Sequence, residues 1–240
     1  MKRFLATHEW EVVEDEFHPK RNRIIESITS LGNGYMGMRG NFEESYSGDS
    51  LQGTYIAGVY YPDRTVVGWW KVGYPEYFAK VLNAVNYIGI NVNLGGRVLD
   101  LHNWQPIAFR RVLDMKQGEL TRSFHVRDEE GRLFSIQTKR FVSKKQREIA
   151  AISYNVTLES DPSGTGAEIT FNPYLDGNVV NEDANYGEYF WLQVDESSQA
   201  GLQLVATKTK KSDFLIAVAS SFRVFLDGAE MEELEPKYMT

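Results

Sequence analysis

Short runs of alternating apolar and polar residues, each closed by a turn signal, constrain this chain more than anything else in it. INVNL, Gly95-Gly96 and RVLDL make two alternating strands around a two-residue turn that tolerates positive φ, the pattern of a tight hairpin. ELTRSFHV and RLFSIQTKRFV flank a polar turn at residues 128–131, and IAAISYNVTLES runs into the breaker DPSGTG before AEITFNPYL. YFWLQV, GLQLVATK and FLIAVASSFRVFL read as three further strands separated by DESSQA and KTKKSD. Helical spacing is poor throughout; YPEYFAKVLNAV, residues 74–85, is the best candidate for one short helix. Strands at this spacing, punctuated by Gly, Pro and Asp, predict an all-β fold, an antiparallel sandwich or barrel.

A chain of 240 residues is long enough to bury a sizeable core without disulfides. No repeat of fixed period and no low-complexity linker divides it, so one domain over residues 1–240 is expected. An acidic stretch from Asp227 onward reads as an exposed loop or the start of a linker. The net charge of −7 argues against a nucleic-acid backbone as partner. With no cysteine, thiol catalysis and Cys-based zinc sites are excluded, and nothing points to an oxidising compartment. The N-terminal residues form no long apolar core and no segment reaches the length of a membrane span, so a cytoplasmic protein without a membrane partner is expected.

Four stretches could carry chemistry. LGNGYMGMR, residues 31–39, matches G-x-G-x-x-G literally, but the residues after it contain Gly40 and Gly48 and no helical repeat. Without a following helix there is no N-terminus to meet a pyrophosphate, and the run reads as a glycine-rich strand and bend. Glu43 and Glu44 follow it. Paired carboxylates serve glycoside cleavage, yet neighbours on a strand point to opposite faces, so at most one is expected to face a site. The plainer expectation is that one of them pairs with Arg39 and fixes the bend. The loop LDGNVVNEDANYGE offers Asp176, Asn181 and Glu182 among other oxygen donors, but their order fails the calcium-loop template; they suit sugar hydroxyls or the backbone groups of a long turn. YYPDRTVVGWWKVGYPEYF gathers Trp69, Trp70, Lys71 and Tyr77 with other aromatics in a Gly- and Pro-rich segment, and these rings need a sugar, a partner or the core to cover them. The four histidines show no metal-ligand spacing, so no metal site is expected.

Taken together, TSLGNGYMGMRGNFEE, VGWWKVGYPEYFAKVLN, FRRVLDMKQGELTRSF and PYLDGNVVNEDANYGEYFW resemble the N-terminal part of glycoside hydrolase family 65, closest to its maltose phosphorylase branch. The resemblance implies a large β-sandwich of the supersandwich type, also seen in galactose mutarotase-like domains. It also implies a helical linker, a catalytic (α/α)6 barrel and a small C-terminal β domain beyond Thr240. The implied reaction is reversible, inverting phosphorolysis of an α-linked disaccharide, with inorganic phosphate as co-substrate, no cofactor, and the acid glutamate in the barrel. No catalytic residue is then expected in this chain. Its partners would be the barrel, the disaccharide and phosphate of the full-length enzyme, and a second copy in a homodimer. Arg39, Glu43, Trp69, Trp70, Lys71, Tyr77, Asp176, Asn181 and Glu182 become candidates for a substrate or domain interface. The alternatives are a free-standing carbohydrate-binding module and a protein-interaction module.

Overall fold

The computed structural model describes residues 4–65, 73–182, 189–199 and 201–231. In chain order they form β1 (Ala6–Thr7), β2 (Glu11–Glu14), helix α1 (Asn22–Ile28), β3 (Leu31–Gly32), β4 (Met36–Met38), β5 (Thr54–Ile56), β6 (Tyr60–Arg64) and β7 (Tyr77–Val81). Next come β8 (Ile90–Leu94), β9 (Arg97–Val98), β10 (Ile107–Asp114), β11 (Glu119–Arg127), β12 (Leu133–Val142), β13 (Ala150–Ser160) and β14 (Ile169–Pro173). The last are β15 (Trp191–Gln199), β16 (Leu202–Thr209), β17 (Leu215–Ser221), β18 (Phe225–Leu226) and β19 (Ala229–Glu230). The fold is all-β and its strand pairs are antiparallel. Two units emerge, one from Met1–Ala57 and Ile88–Pro173, the other from Gly58–Tyr87 and Tyr174–Thr240.

In the first unit a six-stranded sheet, ordered β1-β2-β10-β11-β12-β13, faces the three-stranded sheet β14-β8-β9. Alternation along β11 sends Leu120, Arg122, Phe124 and Val126 to one buried face, and β12 does the same with Phe134, Ile136, Thr138 and Arg140. Phe124, Val126, Phe134 and Ile136 meet Val92, Leu94, Leu99 and Trp104 in the main apolar core, a sandwich within this unit. The hairpin expected around Gly95-Gly96 forms, with Leu94 opposite Arg97 and both glycines at positive φ.

The second unit contains the sheet β15-β16-β17 and the hairpins β6-β7 and β18-β19. Tyr61 is fully buried against Phe190, ring centroids 4.5 Å apart. β15 runs through the DES stretch expected to be a turn, because Asp195, Glu196 and Ser197 keep partners in β16 across a bulge at Val194. FLIAVASSFRVFL, expected as one strand, divides into β17 and β18.

The helix expected over residues 74–85 is instead strand β7, laddered to β6 from Tyr60↔Val81 to Arg64↔Tyr77. Buried Lys80 closes an ion pair with buried Asp63, a partner 17 residues away in sequence that local spacing cannot register. Tertiary pairing therefore overrides the local pattern. The one α-helix among the described residues, α1, is seven residues long, too short to show a repeating apolar face. It turns Ile25 inward and leaves Ile24 exposed. Its end is tied to the chain after β4, since the Gly40 N–H donates to Glu26 O at 2.7 Å. A Cβ at residue 40 would strike the Thr29 side chain and sit 3.2 Å from the Thr29 carbonyl oxygen. Gly40→Ala should therefore lower unfolding stability by about 1–3 kcal/mol in urea denaturation, with the slope unchanged.

Candidate functional site

The glycine-rich run forms the hairpin β3-β4. Asn33 shapes its turn: its Oδ1 accepts the N–H groups of Tyr35 and Met36, at 2.9 and 2.8 Å. Gly34 takes the left-handed conformation this turn requires, φ +88°. Asn33 Nδ2 also donates to the carbonyls of Ser143 and Arg147. A helix precedes this run, and strands β4 and β5 rather than a helix follow it directly, so these glycines do not build a phosphate cradle.

After β4 the chain enters a set of buried charges. Arg111, Arg122 and Arg140 stand on neighbouring strands β10, β11 and β12, on the inward face. Arg111 Nη1 donates to Gly40 O at 2.9 Å, and Arg140 Nη2 to Arg39 O at 2.8 Å. Arg122 binds both carboxylates beyond: Nη1 and Nη2 reach Glu44 at 2.6 and 2.5 Å, and Nη2 reaches Glu43 at 2.7 Å. Arg140 Nη1 reaches the other oxygen of Glu43 at 2.9 Å. Glu14 on β2 pairs with Arg111, whose third contact is Asn22 Oδ1 on α1. The ring of Phe42 lies beneath two of these guanidiniums, 4.9 Å from Arg111 and 4.4 Å from Arg122.

Two expectations about the acidic pair are corrected here. Glu43 and Glu44 do not diverge, because residues 41–44 leave regular strand geometry and both side chains converge on Arg122. Neither pairs with Arg39, whose side chain instead donates to the carbonyls of Leu51 and Arg23. The inward arginines were missed by sequence reading. Their signal was an arginine in phase with apolar residues in three successive strands, as in Leu120-x-Arg122-x-Phe124.

Burial sets the electrostatics. It works to raise the Glu43 carboxyl, but Arg140 and then Arg122 overcome it and hold the group below its ordinary value. Burial raises Glu14, against the pull of Arg111. Arg122 is raised despite burial, because Glu44 and Glu43 stabilise its charge. Tyr154, which donates to Glu44 at 3.3 Å, is pushed up by burial and then by that carboxylate. Glu43 is thus held ionised, and Glu43 and Glu44, each 3% exposed, are both engaged by buried partners, an arrangement suited to holding a segment in place.

The remaining candidates lie elsewhere. Asp176 pairs through its backbone with Asn86, and its Oδ1 accepts the Asn178 N–H at 2.8 Å. Asn181 caps the neighbouring strand end: its Oδ1 accepts the Asn83 N–H at 2.9 Å and its Nδ2 donates to Val81 O at 2.8 Å. Glu182 is exposed beside it. Tyr77 is 51% exposed on β7. Trp69, Trp70 and Lys71 lie outside the described residues. Among the described residues no group of three or more His, Asp or Glu side chains is placed to hold a metal ion, and no helix is long and apolar enough to cross a membrane.

Residues 12–239 match the family model of the glycosyl hydrolase family 65 N-terminal domain. The chain belongs to this family. It is 47% identical over 213 residues to maltose phosphorylase of Bacillus subtilis (strain 168), an alignment covering 89% of this chain and 28% of that protein. It is 33% identical over 222 residues to α,α-trehalose phosphorylase of Thermoanaerobacter brockii, covering 88% of this chain and 28% of the relative. Among solved structures, a putative kojibiose phosphorylase from the human microbiome superposes with a TM-score of 0.72 at 26% identity, covering 92% of this chain and 31% of that one. The chain thus spans about three tenths of the length of the relatives it matches.

The buried charges yield two predictions. Arg122→Met leaves Glu43 with one guanidinium and Glu44 with none, and should cost about 3–5 kcal/mol in chemical denaturation. Glu43 is more acidic folded than unfolded, so its contribution is complete above its ordinary value of 4.5 and is lost as pH falls through the lower folded value. Glu43→Gln should lower stability at pH 7 and flatten this acid limb in unfolding curves recorded from pH 7 down to about 3.

Proposed function

We propose that this chain is the non-catalytic N-terminal domain of a maltose phosphorylase, which converts maltose and inorganic phosphate to glucose 1-phosphate and glucose. The 47% identity to maltose phosphorylase over 89% of the chain carries this reading; identity to the trehalose enzyme is 33%. The family resemblance implies inversion, in which one acid protonates the leaving oxygen and phosphate attacks from the opposite face of the sugar. Phosphate is already an anionic nucleophile, so no second carboxylate is needed to activate water. The buried, doubly engaged state of Glu43 and Glu44 supports assigning the acid to the barrel of the longer protein, with this domain supporting that barrel and a homodimer.

Within the reading, residues 62–82 wall the sugar site of the barrel or contact the second copy. The exposed ring of Tyr77 supports this, and Trp69, Trp70 and Lys71 join it on sequence grounds. Arg39, Glu43, Asp176 and Asn181 act by holding backbone in place, and exposed Glu182 is left to meet a partner surface. Phosphate consumption with maltose, measured on this chain and on a longer polypeptide carrying the barrel, tests the assignment. Activity is expected only in the longer protein; turnover by the 240-residue chain would overturn the non-catalytic role. Deleting residues 66–72 from the longer protein should raise KM for maltose or dissociate the dimer, and retention of both properties would refute the role of the segment.

A further inference from the structure

A cleft of about 510 Å³ opens in the first unit between the segment after Glu44 and the β9 hairpin. Its walls are held by Asp100, whose carboxylate accepts the Ser47 hydroxyl at 2.5 Å, the Ser47 and His102 N–H groups, and Asn103 Nδ2 at 2.8 Å. Ser45 donates its hydroxyl proton to Asn91 Oδ1. These bonds spend the donors of the rim. What these lining residues keep is acceptor capacity: the Asn103 Oδ1 and the lone pairs of Ser45 Oγ and Ser47 Oγ, the last also 3.5 Å from Asn103 Nδ2. Val98, 51% exposed, and the Tyr46 side chain supply apolar surface between them.

The donor is Arg97. Arg97 lies 4.7 Å over the Trp104 ring and pairs with Glu129 through Nη1, which fixes its guanidinium at the cleft with its other N–H groups unspent among the described residues. The Tyr46 hydroxyl is buried and is not offered to the cleft. An acceptor-rich rim backed by a carboxylate repels anions, and the Arg97 charge opposes a free cation. A neutral molecule with many hydroxyl donors and an apolar ring face fits both the rim and the floor.

We propose that this cleft binds a neutral saccharide, with Val98 and Tyr46 under the sugar ring and Ser45, Ser47 and Asn103 accepting its hydroxyl protons. The site is shallow and its contacts few, so the affinity is modest. The proposal stands on the chemistry of the cleft. A full-length protein inactive on maltose would refute the function proposed above and leave this site untouched.

Titration of maltose into the 15N-labelled chain, followed by NMR, is the test. Shifts confined to the amides around Ser45, Tyr46, Val98 and Asn103, with Kd on the order of 1 mM, are expected. Val98→Glu puts a charge on an exposed position without disturbing the core and should weaken binding at least about tenfold. Arg97→Met should weaken it similarly, and inorganic phosphate should not compete. No shifts at about 50 mM maltose, shifts outside the cleft, binding that survives both substitutions, or displacement by phosphate would each overturn the site.

Discussion

The first unit depends on Arg122. Arg122 is 4% exposed and holds two carboxylates from the segment after the β3-β4 hairpin. A charge removed from water to this extent is tolerated only if it is paired and its hydrogen bonds are met, so the segment carrying Glu43 and Glu44 has one acceptable position. Arg111 and Arg140 extend the constraint by taking the carbonyls of Gly40 and Arg39. Three adjacent strands thereby fix the path of six consecutive residues, and Phe42 fills the space between the guanidiniums.

This arrangement divides the inner face of the six-stranded sheet. Toward Phe124, Val126, Phe134 and Ile136 the face is apolar and is closed by another sheet. Toward Arg111, Arg122 and Arg140 it is charged and is closed by the segment after β4 and by α1, through Asn22 and Glu26. Irregular backbone can cover a sheet here because its polar groups find guanidinium partners, which an apolar face would deny them. The cleft beside Ser45 and Ser47 begins where this clamp ends, so its rim follows directly on the backbone held at Glu44.

The chain belongs to the glycosyl hydrolase family 65 N-terminal domain family, and the relatives it matches include maltose and trehalose phosphorylases. The residues that looked most like glycosidase carboxylates hold structure together, and the amide and carboxylate side chains of the later loop, Asp176 and Asn181, serve backbone groups at strand ends. A polar residue in a conspicuous motif can be retained for what it does to the backbone.

Strand alternation, the Gly95-Gly96 turn, the polar turn after β11 and the absence of a helix after the glycines were all legible in the sequence, because each is a property of a few neighbouring residues. Family membership was legible too, since separated motifs in order record a shared fold. The strand at Tyr77–Val81, the partners of Glu43 and Glu44 and the donor-spent rim around Asp100 were not. Each depends on a residue far along the chain: Asp63 for Lys80, Arg122 for the acidic pair, Asp100 for Ser47. Local periodicity states which face a side chain takes, but only the assembled sheets decide which opposite charge or hydrogen-bond partner waits there, and in a dry interior that partner fixes what the residue can do.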